Sequence, residues 1–342
     1  MLSFLGDWRL GPAAAPAMDF LVAQLTTTLT TKLTTDNQPK DRDVAAAALL
    51  GKIGPAAVGK LMELLDHPRP RTRALAARAL AEIGPAANGA VPRLIDLLED
   101  RASQLGATEW LHKGWLPDDS YYYRAPTPGS FGAGGRDLID VRDLAIFALG
   151  SIGPESRSAV SRLARLLEAP LADETGYRAF HRSLAAWTLG QIGPDASSAI
   201  PALIRLAKRD QERPEGIAAV ALARIDPENP AVIECLERYL AEGEHRGFFD
   251  DDGSSDVILE DVLDVVWELG SRGDPLRADL RRLLASPLLH LSNRCCAAYA
   301  LASFPAERPA AVRYLERMAA HGDSGDTDWF LEQIEAFENQ GR

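Results

Sequence analysis

The residues best suited to acid–base or metal chemistry are spread along the chain without a catalytic spacing. The six histidines never form the His-x-x-x-His or His-Glu-x-x-His patterns that place two metal ligands on one helix face. The sequence also has no Gly-x-Ser-x-Gly nucleophile turn, no phosphate-binding glycine loop and no dinucleotide fingerprint. We therefore predict a protein without catalytic residues, metal ions or cofactors.

The cysteines indicate a reducing compartment. Cys235, Cys295 and Cys296 are odd in number and have no metal-ligand spacing, which is typical of reduced thiols in a cytoplasmic protein. Cys295 and Cys296 fall in an apolar helical pattern, so we expect buried, unreactive thiols. The first ten residues lack a basic start, and no apolar run is long enough to cross a membrane, so we expect neither a signal peptide nor a membrane segment.

Aromatic residues are concentrated in one segment, from Arg101 to Ile139, which also holds the glycine-rich run 129–135. Long insertions of this kind are usually functional or disordered, and Tyr and Trp are frequent binding hot spots. The candidate partner-binding residues are Trp110, Trp115, Tyr121, Tyr122, Tyr123 and Phe131. Two other interpretations stay open: a cover over the groove of the fold, and a degenerate repeat.

The overall charge argues against nucleic acid as a partner, because the net charge is −12 and the pI about 5.1. One local basic run exists at Arg69, Arg71, Arg73 and Arg78. The acidic stretch 250–256 lacks the full ligand pattern of a calcium loop, so we interpret it as a solvated loop. An acidic surface weakly favours a partner with basic segments.

One phrase recurs along the chain: a small-residue helix, then Ile-Gly-Pro, then a second apolar helix. It is clearest at Ile53, Ile83, Ile152 and Ile192, and weaker copies are centred on Ile225, Arg272 and Phe304. Glycine permits the backbone conformation that ends a helix, and proline suits the first turn of the next one. The pattern predicts antiparallel helix pairs that bury their faces only by stacking on neighbouring pairs.

This unit resembles the HEAT repeat, including the short bacterial forms related to the HEAT-like repeats of phycobilisome lyases. In the family, an arginine early in the first helix helps to tie neighbouring repeats together. Here it is matched by Arg73, Arg142, Arg182 and Arg294. Asp43, Glu215 and Val262 replace it in other copies, which implies weaker junctions there. The resemblance implies an all-α fold, an α–α superhelix (HEAT-type solenoid) of about seven helix pairs with capping helices.

The predicted organisation follows from these segments. Residues 1–40 form an N-terminal segment with a capping helix over 17–35, residues 41–100 the first two repeats and 101–139 the insertion. Residues 140–320 form repeats three to seven with an acidic insertion near 242–256, and residues 321–342 a C-terminal capping helix. In the N-terminal helix, Phe20, Leu21, Leu25 and Leu29 are expected on one apolar side.

The resemblance is specific for fold and says little about the ligand. We predict a non-catalytic scaffold that binds another protein through the concave face lined by second helices and through the aromatic insertion. Two enzymatic alternatives stay open: a lyase, and a base-excision DNA glycosylase that uses the insertion as a pocket or lid. The iron-binding hydroxylases of the family use His-Glu pairs, and no histidine here precedes a glutamate. Nucleic acid and membrane are not expected partners.

Overall fold

The computed structural model describes residues 16–26, 41–100, 102–106, 138–168, 177–208, 215–246, 257–287, 289, 291–321, 330–332 and 334–335. Within them, helix α1 (Met18–Thr26) precedes seven helix pairs. The first helices of the pairs are α2 (Asp41–Ile53), α4 (Pro70–Ile83), α6 (Val141–Ile152), α8 (Tyr177–Ile192), α10 (Glu215–Ile225), α12 (Val257–Leu269) and α14 (Leu291–Ala302). The second helices are α3 (Val58–Leu64), α5 (Val91–Asp96), α7 (Val160–Glu168), α9 (Ile200–Ala207), α11 (Pro230–Arg246), α13 (Arg277–Ala285) and α15 (Arg308–His321). The predicted all-α, HEAT-type solenoid class is confirmed.

The Ile-Gly-Pro phrase ends each first helix in the way its residues predict. Ile53, Ile83, Ile152 and Ile192 are the last residues of α2, α4, α6 and α8. The glycine that follows each of them has a φ between 69° and 82°, which a residue with a Cβ rarely adopts. A short 3₁₀ segment then leads into the second helix, with proline in its first turn.

The chain divides into two compact units, residues 1–199 and 200–342. In the first unit, α2, α4, α6 and α8 pack against one another in chain order. In the second, α10, α12 and α14 do the same. Alanine permits this close approach of helices: Ala76, Ala77, Ala145 and Ala148 are all completely buried.

The sixth pair differs from its predicted register by three residues. Helix α12 ends at Leu269, and Gly270 has the positive φ, 54°, that marks the end of a first helix. The position equivalent to Ile152 is therefore Leu269 and not Arg272. The physical reason is burial, since Leu269 is 5% exposed whereas Arg272 is an exposed side chain that cannot fill an apolar layer.

The two ends of the chain only partly match their predictions. Leu21 and Leu25 of α1 are buried, but Phe20 is 57% exposed, so its assignment to the apolar side was wrong. Leu29 lies outside the described residues. At the C-terminal end, residues 330–332 and 334–335 are helical, and Phe330 and Ile334 are buried.

Two short strands close the base of the aromatic insertion, a feature that the helical repeat did not predict. Strand β1 (Ser103–Gly106) pairs antiparallel with β2 (Leu138–Asp140), so that Gly106 lies opposite Leu138. Strand β1 contacts α4, and β2 contacts α6. The described residues on either side of 107–137, Gly106 and Leu138, are therefore neighbours in the first unit.

The segment Asp43–Leu64 has the length and mean hydropathy, 1.4, of a membrane-crossing helix. It is not one helix in the structure, because α2 ends at Ile53 and Gly54 turns the chain with a φ of 82°. Leu50 and Leu61 are completely buried, and α2 and α3 both pack against α4. Packing within the first unit accounts for the apolar character of this segment.

Candidate functional site

The basic run at the start of α4 joins three other parts of the first unit. Arg69 Nη1 donates to the carbonyl oxygen of Thr26, at the end of α1, over 2.8 Å. Arg71 holds Asp43 of α2 with two bonds, Nε to Oδ2 at 2.6 Å and Nη2 to Oδ1 at 3.0 Å. Asp43 occupies the position where most repeats carry arginine. The junction between the first and second pairs is therefore stabilised by the ion pair of Asp43 and Arg71.

Arg73, the first of the predicted junction arginines, connects the second and third pairs. Its Nε donates to Oδ2 of Asp100 over 2.7 Å, and its Nη1 donates to the carbonyl oxygens of His67 and Pro68. The carbonyl oxygen of Asp100 in turn accepts from the amide of Arg142, at the start of α6, over 3.0 Å. Both charged side chains are less than a fifth exposed, so solvent screens this pair only partly.

The other three predicted junction arginines differ in how deeply they are buried. Arg142 and Arg182 are buried, 6% and 2% exposed. Arg294 is half-buried on α14, with its guanidinium carbon 5.8 Å from the centre of the Tyr314 ring. Burial raises the pKa of Tyr314, although the charges of Arg294 and Arg317 act in the opposite direction. The structural role of this set stays a prediction of the repeat pattern.

The residue directly before the arginine position was missed in the sequence, yet in three pairs it contacts another element of the same unit. Thr72 Oγ1 donates to the carbonyl oxygen of Leu25 over 2.9 Å. His181 Nδ1 is paired with Oδ1 of Asp143, a carboxylate that is completely buried. In the second unit, the equivalent position is Asp261, which lies 3.4 Å from Arg224. The sequence carries no uniform signal for this position, because Val141 occupies it in α6.

Three large side chains form a row across the first helices of the first unit. The guanidinium carbon of Arg78 lies 5.1 Å from the centre of the Phe147 ring, a cation–π distance. The Phe147 ring stacks on the Trp187 indole, with centroids 5.4 Å apart and planes inclined by 14°. Each residue precedes the last isoleucine of its helix by five positions, so the row follows directly from the repeat.

The second helices present solvent-exposed charges, as α7 shows. On α7, the exposed positions are Ser161, Arg162, Arg165 and Glu168. Arg162 lies 3.5 Å from Glu99 of the preceding pair, and both side chains are largely exposed. Pairs of this kind contribute little to stability, because water and salt screen them. These charges are therefore available to a partner at small energetic cost.

The six aromatic candidates, Trp110, Trp115, Tyr121, Tyr122, Tyr123 and Phe131, lie outside the described residues, as does the acidic stretch 250–256. Within the described ranges, no group of three or more His, Cys, Asp or Glu side chains is placed to hold a metal ion. The three cysteines are buried, and no disulfide joins any two of them. The polar groups of the described residues thus make junctions between repeats and a charged outer surface.

Comparison with known families confirms the resemblance to HEAT repeats. Residues 26–109 match the family model described as HEAT repeats, and residues 182–209 match the model described as PBS lyase HEAT-like repeat. These two segments contain HEAT-type repeats and together cover less than half of the chain. No curated protein matches the chain.

Solved structures that are similar to this chain include two of natural proteins and one of an engineered protein. The complex of CpcE and CpcF of phycocyanin lyase from a Nostoc species is 18% identical, with a TM-score of 0.39 over 98% of this chain and 86% of that one. YibA of Escherichia coli is 14% identical, with a TM-score of 0.44 over 94% and 96% of the two chains. An engineered protein is 18% identical, with a TM-score of 0.33 over 82% and 96%. At these identities and scores, the similarities carry no argument about activity.

Proposed function

We propose that this chain, which contains HEAT-type repeats, is a non-catalytic scaffold that binds another protein through the exposed faces of its second helices. The observation that carries the proposal is the unequal exposure of the two helices of a pair. Residues 141–150 of α6 are all buried, whereas α7 exposes four of its nine residues. Repeat proteins use such rows of exposed side chains as extended binding surfaces.

The aromatic insertion is the second part of the proposed binding surface. Its base, β1 and β2, contacts α4 and α6 and so fixes both ends of the insertion to the first unit. Tyr and Trp supply large contact areas at a low entropic cost, which suits a short segment that must add affinity. The insertion would then anchor a partner that also lies along the second helices.

A reducing, cytoplasmic location and a partner other than nucleic acid complete the proposal. Three buried cysteines that form no disulfide fit a reducing compartment. The arginines at 69, 71 and 73 bond to Thr26, Asp43 and Asp100. Those bonds would have to break before the guanidinium groups could hold a phosphate backbone, which weakens the nucleic-acid interpretation.

The test uses a variant in which residues 107–137 are replaced by Asn-Gly. Gly106 and Leu138 are paired across the strands, and Asn-Gly favours the tight turn that joins two antiparallel strands. As a matched control, residues 247–256, between α11 and α12, are replaced by a Gly-Ser linker of the same length. Both variants should keep the helical circular dichroism of the full chain.

The full chain and both variants serve as baits in a lysate of the native cell. A protein retained by the full chain is then purified, and its complex is measured by calorimetry. We expect a stoichiometric complex that the Asn-Gly variant weakens at least about tenfold and the control leaves unchanged, because hot spots dominate binding energy. The absence of any stoichiometric protein complex would refute the proposal. Consumption of a small molecule by the full chain but not by the variant would favour the lyase alternative, and release of a base from duplex DNA would favour the glycosylase alternative.

A further inference from the structure

Asp100 directly precedes the aromatic insertion and accepts hydrogen bonds at three of its oxygen atoms. Its Oδ2 accepts from Nε of Arg73 on α4 over 2.7 Å, and its Oδ1 accepts from the amide of Ala102 over 3.1 Å. Its carbonyl oxygen accepts from the amide of Arg142, at the start of α6, over 3.0 Å. Ala102 belongs to the first end of the insertion, and Arg142 follows its second end. Asp100 therefore bonds to α4 and to the chain on both sides of the insertion.

The bonds around Asp100 continue into the strand pair at the base of the insertion. The amide of Val141 donates to the carbonyl oxygen of Ala102 over 3.2 Å, and Ser103 of β1 is paired with Asp140 of β2. These backbone contacts hold the two ends of the insertion to each other. The Asp100 carboxylate adds a different contact, because it bonds these ends to a side chain of α4.

The Arg73 guanidinium is itself held in place on the side opposite to Asp100. Its Nη1 donates to the carbonyl oxygens of His67 and Pro68, over 2.8 and 3.1 Å, in the turn that leads into α4. A planar guanidinium that makes several hydrogen bonds has a fixed direction, which a flexible ammonium group would not have. The position of Asp100 relative to α4 is therefore determined by Arg73.

We propose that Asp100 is the positioning residue of the aromatic insertion: its carboxylate holds the base of the insertion against α4, so that the insertion begins and ends at a fixed place. This inference rests on the binding role proposed above for the insertion and names the residue that regulates it. A segment whose ends are fixed before binding loses less conformational freedom when it binds, and its affinity is higher for that reason. Asp100 thus acts on partner binding through the insertion, without touching the partner.

Asp43, at the junction between the first and second pairs, is a closely matched control for Asp100. Its Oδ2 accepts from Nε of Arg71 over 2.6 Å, and its Oδ1 accepts from the amide of Val44 over 2.9 Å. The side chains of Asp43 and Asp100 are both 18% exposed. Asp43→Ala therefore removes one arginine partner and one amide acceptor, as Asp100→Ala does, but at a junction where these bonds do not reach the insertion.

The experiment measures amide hydrogen exchange of the full chain by nuclear magnetic resonance. The amides of Val141 and Arg142 lie in the first turn of α6, where a helix supplies no acceptor, so their protection reports the base of the insertion. In Asp100→Ala we expect both amides to exchange at least about tenfold faster, whereas the amide of Leu149, in the interior of α6, changes less than about twofold. In Asp43→Ala all three amides should change less than about twofold.

The conservative variant Asp100→Asn keeps an oxygen acceptor and should bring the exchange of Val141 and Arg142 to within about threefold of the natural chain. A residue that only stabilised the fold would accelerate the Leu149 amide to the same extent, because global opening exposes every amide. Circular dichroism checks that the variants fold. If Asp100→Ala does not, Arg73→Gln replaces it, since this change removes the guanidinium from Asp100.

The proposal is overturned if the amides of Val141 and Arg142 stay slow in the test variant, or if the Leu149 amide accelerates equally. The second readout is calorimetry with the protein captured by the full chain, and Asp100→Ala should weaken that complex at least about fivefold while Asp43→Ala leaves it unchanged. Equal affinity of Asp100→Ala and the natural chain would also overturn it. The scaffold function fails separately, when no protein complex forms, and the exchange rates still decide whether Asp100 holds the base.

Discussion

The indole ring of Trp187 lies against the backbone of α6 at Gly150. A Cβ built on Gly150 would be 2.2 Å from Cζ3 of the indole and 2.9 Å from Thr188 Oγ1. No real side chain tolerates such distances, so glycine at this position is what permits α8 to approach α6 with its tryptophan between them. The same ring stacks on Phe147, so the close approach also fixes the aromatic row of the first unit.

Gly150→Ala should destabilise the protein although alanine is the better helix former. Overpacking a dense core costs about 1–3 kcal/mol, more than the ~1 kcal/mol that alanine contributes in a helix. Gly59→Ala is the matched control, because Gly59 is an exposed residue of α3 with no atom within 4 Å of its built Cβ. Urea unfolding should show opposite signs for the two variants. A stabilising Gly150→Ala would contradict the close approach.

Arg73→Lys should weaken the junction between the second and third pairs. Lysine cannot bond to Asp100 and to the carbonyl oxygens of His67 and Pro68 at once, and we expect a loss of about 1–3 kcal/mol in the free energy of unfolding. The control is Arg162→Lys, at a largely exposed pair with Glu99, with an expected loss below about 0.5 kcal/mol. Equal losses in denaturant titrations would mean that Arg73 is not a junction residue.

The pair of Asp143 and His181 should show energetic coupling between the third and fourth repeats. His181→Gln should destabilise the protein because a completely buried carboxylate loses its partner, and Asp143→Asn should do so because His181 loses a charged partner. A double-mutant cycle measured by urea unfolding should give a coupling energy of at least about 0.5 kcal/mol. The cycle for Arg157 and Asp195, 3.9 Å apart and more than half exposed, should give a value near zero. If the two cycles agree, the buried pair does not couple the repeats.

The helix ends could be predicted because their causes are local. Glycine and proline act on the residues next to them, and Ile53, Ile83, Ile152 and Ile192 therefore mark helix ends without reference to the rest of the chain. The same pattern misplaced the end of α12, because Gly270 and Gly273 both follow this helix. The burial of Leu269 shows that the helix ends before Gly270.

The repeat pattern predicted the junction arginines, but the partners in the side-chain junctions could not be predicted, because they are distant in sequence. His181 and Asp143 are in contact although 38 positions separate them in the sequence. The connection between their repeats includes residues 169–176, and the repeat pattern does not fix the length of this connection. The aromatic row could have been found, since Arg78, Phe147 and Trp187 share one repeat position, but their residue types do not suggest a common role. The candidate aromatic residues of the insertion stay predictions.

Glu307 should make stability depend on pH in acid. Its hydrogen bond from Arg281 holds the pKa of Glu307 below its usual 4.5, against burial, which raises it; the charges of Arg281 and Arg277 add to the lowering. A lowered folded-state pKa means that this stabilisation is present above about pH 4.5 and is lost as the pH falls through the folded value.

Glu307→Gln should therefore be less stable than the natural chain near neutral pH and equally stable in strong acid. The measurement is the urea midpoint of both proteins over the acid range. Glu316→Gln, on the exposed face of α15, controls for the loss of one negative charge. A difference between Glu307→Gln and the natural chain that is independent of pH would show that the Arg281 pair does not contribute to folding.

The three cysteines should be unreactive until the protein unfolds. Burial, together with the nearby Glu234 carboxylate, raises the pKa of Cys235 to about 11, although the charge of Lys208 acts in the opposite direction. The thiolate is the reactive species, and at neutral pH Cys235 is therefore almost entirely a thiol. Cys295 and Cys296 are 0% and 4% exposed, so a reagent reaches them only through local opening of α14.

We expect slow reaction with a disulfide reagent in the native state and reaction of all three thiols in denaturant. Ser161→Cys, at an exposed position of α7, supplies a fourth thiol that should react at once. Rapid reaction of a natural cysteine in the native state would indicate a redox or covalent function. It would contradict the proposal of a non-catalytic scaffold.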